Sequence, residues 1–192
     1  MRVISGTKRG KKLETLKGDS VRPTTDKVKE SIFNAIQFDL PDCSFLDLFA
    51  GSGQMGIEAL SRGASHATFI DKNRSSIDII KKNLASTQFF NDATVLKMDS
   101  ILFLKNQKEK FDIVFLDPPY KVGLLQEALS LITNVINVNG KIICEHPIDE
   151  KISNHTKQLD LIKEYKYGKI MISIYKYKDV EDDEFSNISR KL

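Results

Sequence analysis

The apolar run Ile113-Val114-Phe115-Leu116 ends in Asp117-Pro118-Pro119-Tyr120, a grouping suited to holding a planar base by an exocyclic amine. Each proline fixes φ and removes an N–H, so the carbonyls around them are open to accept hydrogen bonds from an amino group. Asp117 adds a second acceptor, and Tyr120 supplies a ring face on which a base can stack. The same four residues would also make an ordinary turn. Their weight as a site comes from a second grouping roughly seventy residues upstream.

That grouping is Asp47-Leu48-Phe49-Ala50-Gly51-Ser52-Gly53-Gln54-Met55-Gly56. Its glycines permit a tight turn and close approach of a ligand to the backbone. Gly51, Gly53 and Gly56 fit G-x-G-x-x-G, which alone leaves open a nicotinamide dinucleotide with its pyrophosphate at the next helix N-terminus. Two features favour S-adenosylmethionine. The run from Asp47 through Phe49, Ala50, Gly51 and Gly53 resembles the first motif of methyltransferases more than a dehydrogenase fingerprint. Asp71, followed by Lys72, then ends a second strand twenty residues beyond Gly51, where an acid can take both ribose hydroxyls. Asp99, followed by Ser100, closes a third strand region and offers an acceptor for the adenine amine. Any one of these acids serves equally well as a helix cap. As a set at the carboxyl edge of a sheet, where open α/β folds bind ligands, they read as a site.

The elements that must position these residues alternate along the chain. Strands are expected at Ser44–Leu48, Ala67–Ile70, Ala93–Leu96, Phe111–Leu116 and Lys141–Glu145. Between them, helical patterns cover Met55–Ser61, Ser75–Leu84, Ile101–Asn106 and Leu124–Ile136. Repeated β-α-β with helical connections predicts a parallel sheet covered on both faces. Leu159–Tyr165 and Lys169–Tyr177 then read as an antiparallel hairpin around Gly168. The expected fold is α/β: a Rossmann-like, mostly parallel seven-stranded sheet ending in that hairpin. At the other end, Met1–Gly6 and Lys11–Leu16 are expected to form a short basic β extension around Lys8-Arg9-Gly10, before a helix carrying Val28, Ile32, Phe33 and Ile36.

A chain of 192 residues fits one domain with a short appendage. The expected division is a basic head at 1–25, a catalytic domain at 26–178 and an acidic tail at 179–192. No apolar run approaches the roughly 20 residues of a membrane span, and the N-terminus carries no apolar signal segment, so a cytoplasmic location is expected. Net charge is only +3, but Arg2, Lys8, Arg9, Lys11 and Lys12 fall in the first twelve residues with no acid among them, as suits a polyanion. Cys43 and Cys144 match no metal spacing and read as reduced, buried thiols. His66, His146 and His155 form no ligand pattern, so no metal is expected.

Over about residues 1–178 the chain resembles the RsmD family, bacterial methyltransferases that modify guanine N2 in small-subunit ribosomal RNA. The matching residues are Arg2-Val3-Ile4-Ser5-Gly6, Arg9-Gly10, Arg22-Pro23-Thr24-Thr25-Asp26 through Glu30, Phe33-Asn34, Phe49 to Gly53, Gly56 to Ala64, and Asp117 to Tyr120. The resemblance implies methyl transfer from S-adenosylmethionine to an exocyclic amine held by Asp117, Pro118, Pro119 and Tyr120. It implies 16S ribosomal RNA, or an assembling small subunit, as partner, while fold and size allow a monomer. RNA contacts are expected from Arg2, Lys8, Arg9, Lys11 and Lys12, with Arg22, Thr24 and Thr25 nearer the pocket. Asp71 stands where members often carry glutamate, and Gln54 where small residues are frequent. Rival readings are an amino-methyltransferase of other RNA or DNA, an oxidoreductase, and a non-catalytic assembly factor with a vestigial pocket.

Overall fold

The computed structural model describes residues 1–16, 25–120, 123–150, 152 and 158–178. Four short apolar runs form parallel strands β1 (Ser44–Asp47), β2 (His66–Asp71), β3 (Ala93–Lys97) and β4 (Phe111–Leu116). The longer β5 (Ile136–Pro147) joins them in parallel, and β6 (Leu159–Tyr167) and β7 (Ile170–Tyr177) complete a seven-stranded sheet in the order β3-β2-β1-β4-β5-β7-β6. β7 runs antiparallel to both β5 and β6. The central strands are buried on both faces, as their continuous apolar runs require.

Helices α1 (Asp26–Ala35), α2 (Gln54–Ser61), α3 (Arg74–Thr87), α4 (Ser100–Asn106) and α5 (Leu124–Leu131) cover the sheet. One core cluster gathers α1, α2 and α3 side chains, such as Phe33, Ile57 and Ile80, over Phe45, Phe69 and Phe115. The other gathers α4 and α5 side chains, such as Phe103 and Leu125, over Leu46, Val114 and Cys144. Cys43 and Cys144 are both free and buried.

The expected helix over Leu124–Ile136 is corrected. The α-helix stops at Leu131, a 3₁₀ turn spans Ile132–Asn134, and Ile136 already opens β5. Thr133 and Asn134 are weak helix residues that compete for backbone bonds. Phe111 N–H donates to Val135 O at 2.8 Å, drawing the chain into the sheet beside β4. β5 therefore starts well before the expected Lys141.

The head pairs less extensively than two full strands. Arg2 and Lys12 form a single antiparallel bridge, flanked by bonds from Val3 N–H to Lys11 O and from Leu13 N–H to Met1 O. Pairing stops because residues 4–8 bind α2 instead. Ile4 and Ser5 N–H donate to Glu58, Thr7 N–H to Ser61 O, and Lys8 N–H to Ser61 Oγ. Gly6, at φ 81°, lies so close to α2 that a Cβ would fall 1.7 Å from Ser61 O. Val3 and Leu13 are buried in the same cluster as α1 and α2.

Candidate active site

The strand order reverses between β1 and β4, opening the crevice in which such sheets hold ligands. A cavity of about 420 Å³ lies there, within the usual range of small-molecule sites. Its lining comes from the ends of four successive strands. After β1 come Asp47, Phe49, Ala50 and Gly51; after β2, Asp71 and Lys72; after β3, Asp99 and Ser100; after β4, Asp117, Pro118, Pro119 and Tyr120. Gly53 is the one expected cofactor residue that does not line it.

The glycine loop shows why. Gly53 sits at φ 76° as N-cap of α2, where a Cβ would meet Ile80 at 3.1 Å. Gly56 is tighter, since a Cβ there would lie 2.3 Å from the Phe69 ring. Both glycines let α2 approach its neighbours, and only Gly51 faces the cavity. Gly51 N–H donates to Asp71 Oδ2 at 2.9 Å, and Asn73 N–H to Asp71 Oδ1 at 2.8 Å. Asp71 thus fixes the loop backbone at the end where it would take a ribose.

Asp99 combines both roles open to it. Its Oδ1 caps α4, accepting from Ile101 and Leu102 N–H at 3.0 Å each, while the residue lines the cavity. Ser100 Oγ donates to Leu48 O at 2.7 Å and braces the loop after β1.

Asp47 and Asp117 set the electrostatics. Asp47 is buried with one hydrogen bond, from Gly56 N–H at 3.1 Å. Burial pushes its pKa up to about 7, the Gly56 bond opposing and the Asp71 charge adding. Asp117 is half-buried at the carboxyl end of β4, and its pKa is raised well above the carboxylate range by desolvation, then by Glu145 and Asp47. Glu145, on β5, backs the site without lining the cavity, and the sequence reading missed it. It is buried beside Asp117, one register step beyond Leu116↔Cys144, and accepts from Tyr120 Oη at 3.3 Å. The signal available was a lone acid in the apolar run Ile142-Ile143-Cys144-Glu145. Gln54 and Ser76 also line the cavity, and Gln54 Oε1 and Ser76 Oγ are buried without a hydrogen-bond partner among the described residues.

The donor set fits S-adenosylmethionine. A carboxylate stands at the β2 end for a diol, the acids Asp47 and Asp117 in the cavity wall suit a sulfonium, and Gly51 brings backbone without a Cβ to the cavity. At the β4 end, Asp117 and the Pro118 carbonyl can accept the two hydrogens of an amine. Among the described residues no cluster could hold a metal ion, and no helix is long and apolar enough to cross a membrane.

The expected RNA-binding residues scatter. Arg2 is exposed and pairs with Asp26 at 3.0 Å. Lys8 donates to Gln88 Oε1 at 2.8 Å and lies over the Phe89 ring, while Arg9, Lys11 and Lys12 are exposed. The Lys8-Arg9 turn rests on Ser61, at the far end of α2 from the cavity, a separation of about 12 Å along that helix. Met1 and Leu16, at the ends of the head segment, do line the cavity. Thr25 caps α1, accepting from Val28 N–H at 3.4 Å. Arg22 and Thr24 lie outside the described residues, as does the tail from 179.

The family described as Conserved hypothetical protein 95 matches residues 1–176. Ribosomal RNA small subunit methyltransferase D of Haemophilus influenzae is 36% identical, covering 91% of this chain and 93% of its own length. The Escherichia coli protein of the same name is 42% identical over 69% of this chain and 66% of its own. Among solved structures, yhhF from Escherichia coli superposes with a TM-score of 0.83 at 33% identity, covering 93% of this chain and 98% of that one.

Proposed function

We infer the function from the family to which this chain belongs, that of the ribosomal RNA small subunit methyltransferase D proteins. It is an S-adenosylmethionine-dependent methyltransferase of ribosomal RNA, and we assign its target as the exocyclic N2 amine of a guanine. The observation that carries the assignment is Asp117: an acid at the end of β4, stiffened by two prolines and opening on the same cavity as Asp47, Gly51 and Asp71.

When bound, S-adenosylmethionine supplies an activated methyl on a sulfonium, with Asp71 holding its ribose and Asp99 facing its adenine. Asp117 and the Pro118 carbonyl would accept the two amine hydrogens, localising the nitrogen lone pair towards the methyl that S-adenosylmethionine would supply. Alignment of the amine supplies most of the acceleration, up to about 7–11 kcal/mol where geometry is ideal. The Asp117 carboxylate stabilises positive charge developing on nitrogen. The proton lost from that nitrogen goes to Asp117 or to water. Tyr120 holds the base by stacking once it has left its own stack.

The partner in this reading is 16S ribosomal RNA, free or in an assembling small subunit, met by a monomeric, cytoplasmic enzyme. The basic head contacts phosphates and the domain from residue 26 performs the transfer. The test is transfer from labelled S-adenosylmethionine to small-subunit particles lacking the modification, read by nucleoside mass spectrometry. N2-methylguanosine is expected. Methyladenosine would overturn the base assignment, and tight cofactor binding without transfer to any nucleic acid would overturn the activity.

A further inference from the structure

The Lys8-Arg9 turn lies at the far end of α2, so phosphate contacts beside the target nucleotide must come from elsewhere. β6 runs upward beside β7, placing Tyr165–Lys169 at the same sheet edge as the cavity. The register makes this concrete. Glu145 pairs with Ile172, and Ile172 with Tyr165. Asp117, Glu145, Ile172 and Tyr165 therefore form one row on one face, and the three interstrand steps from Asp117 to Tyr165 span about 14 Å.

That tip has the chemistry of a single-strand contact. Tyr165 and Tyr167 are half-buried, braced against the core, and stacked with centroids 6.5 Å apart. Lys163, Lys166 and Lys169 are exposed, and none is paired with a carboxylate among the described residues. Lys163 Nζ lies 5.0 Å from the Tyr165 ring centroid. Of the nearby acids, Glu164 accepts from Ser173 Oγ. Asp149 and Glu150 follow Ile148, whose N–H donates to Lys169 O, and they are the local counterweight.

We propose that the tip of the β6–β7 hairpin is a second RNA-contact surface, which takes the strand flanking the target guanine through its tyrosine rings and three lysines. The proposal rests on ribosomal RNA being the substrate. Rings on a rigid strand accept any base by stacking, and lysines beside them neutralise the phosphates between bases.

The test is RNA binding across a salt series, with a ribosomal RNA fragment that the wild type methylates. Lys163→Ala, Lys166→Ala and Lys169→Ala combined should lower the log–log salt slope by about 2. The combined variant should weaken RNA binding at least tenfold, leaving affinity for S-adenosylhomocysteine unchanged. Tyr167→Leu, which keeps an apolar side chain against the core, should weaken RNA binding at least fivefold, the low end for a lost stack. Asp149→Asn should tighten it. A wild-type salt slope and affinity in the triple-lysine variant overturn the inference while leaving the enzymatic reading intact. Normal RNA affinity with activity lost only on assembled particles would mean that the hairpin meets a protein, and also overturns it. Absence of transfer by the wild type removes the premise itself.

Discussion

Glu58, on α2, and Asp47, at the end of β1, are both fully buried carboxylates, yet their surroundings are opposite. Glu58 accepts from Ile4 N–H at 2.8 Å, Ser5 N–H at 3.0 Å and Arg62 Nε at 2.8 Å, with Lys29 Nζ at 3.3 Å. Lys29, itself buried, also donates to Arg2 O at 2.6 Å, and its pKa is lowered by desolvation against the opposing pull of Glu58. Asp47 has one backbone donor, and Asp117 beside it faces both Asp47 and Glu145. At Glu58 the charge is fully compensated and clamps the head to the domain. At the β1 and β4 ends the carboxyls lack such partners and their pKa values are raised, where a sulfonium would supply positive charge and an amine the missing donors. Compensation, rather than burial, separates the structural acid from those proposed to act on ligands.

The largest expected effect is on the compensated side. Glu58→Ala leaves Lys29 buried without its partner, a loss of about 3–5 kcal/mol, measured by urea unfolding, with amide exchange in residues 1–13 accelerating together. A loss under about 1 kcal/mol would break the contrast. On the ligand side, Asp71→Ala removes the acceptor proposed for the ribose hydroxyls and should weaken S-adenosylhomocysteine roughly tenfold or more by calorimetry. Gly56→Ala sharpens the division of the glycine loop. Overpacking against Phe69 should cost about 1–3 kcal/mol, with cofactor affinity of the folded protein unchanged.

A further prediction concerns pH. Asp47 has a folded pKa of about 7 against an ordinary 3.8. Between those values the folded state holds a proton that the unfolded state has lost. Its stabilising contribution is complete below the ordinary value and is lost as pH rises through 7, with a slope of at most about 1.4 kcal/mol per pH unit. Asp112, held low by Ser44 and Asn137, has the opposite dependence. The difference between wild type and Asp47→Asn in thermal melts from pH 4 to 8 isolates Asp47: the variant should gain at neutral pH and converge with wild type at acid pH.

Much of this site was legible because its signals are local. Asp47 to Gly53 and Asp117 to Tyr120 lie within single strand-to-loop transitions, and strands β1 to β4 announce themselves as apolar runs. The contrast between the acids was not legible. Lys29, Glu58 and Arg62 lie on two helices, and only the packing of α1 on α2 shows that they form one cluster rather than solvated charges. Gly56 matched a ligand motif, although its reason is the Phe69 ring opposite. Basic residues in the head suggested polyanion contact, but composition does not say which end of the sheet a turn reaches. Glu145 is one acid in an apolar strand until register sets it beside Asp117.

The most direct test is the single-turnover rate of methyl transfer by Asp117→Asn at saturating S-adenosylmethionine, with its melting temperature and cofactor affinity measured on the same sample. An under-compensated acid that exists for its substrate should lose at least roughly a hundredfold in rate. Melting temperature should hold or rise, and cofactor affinity should stay near wild type. A wild-type rate, or a rate loss accompanied by an equal collapse in stability, would contradict the account.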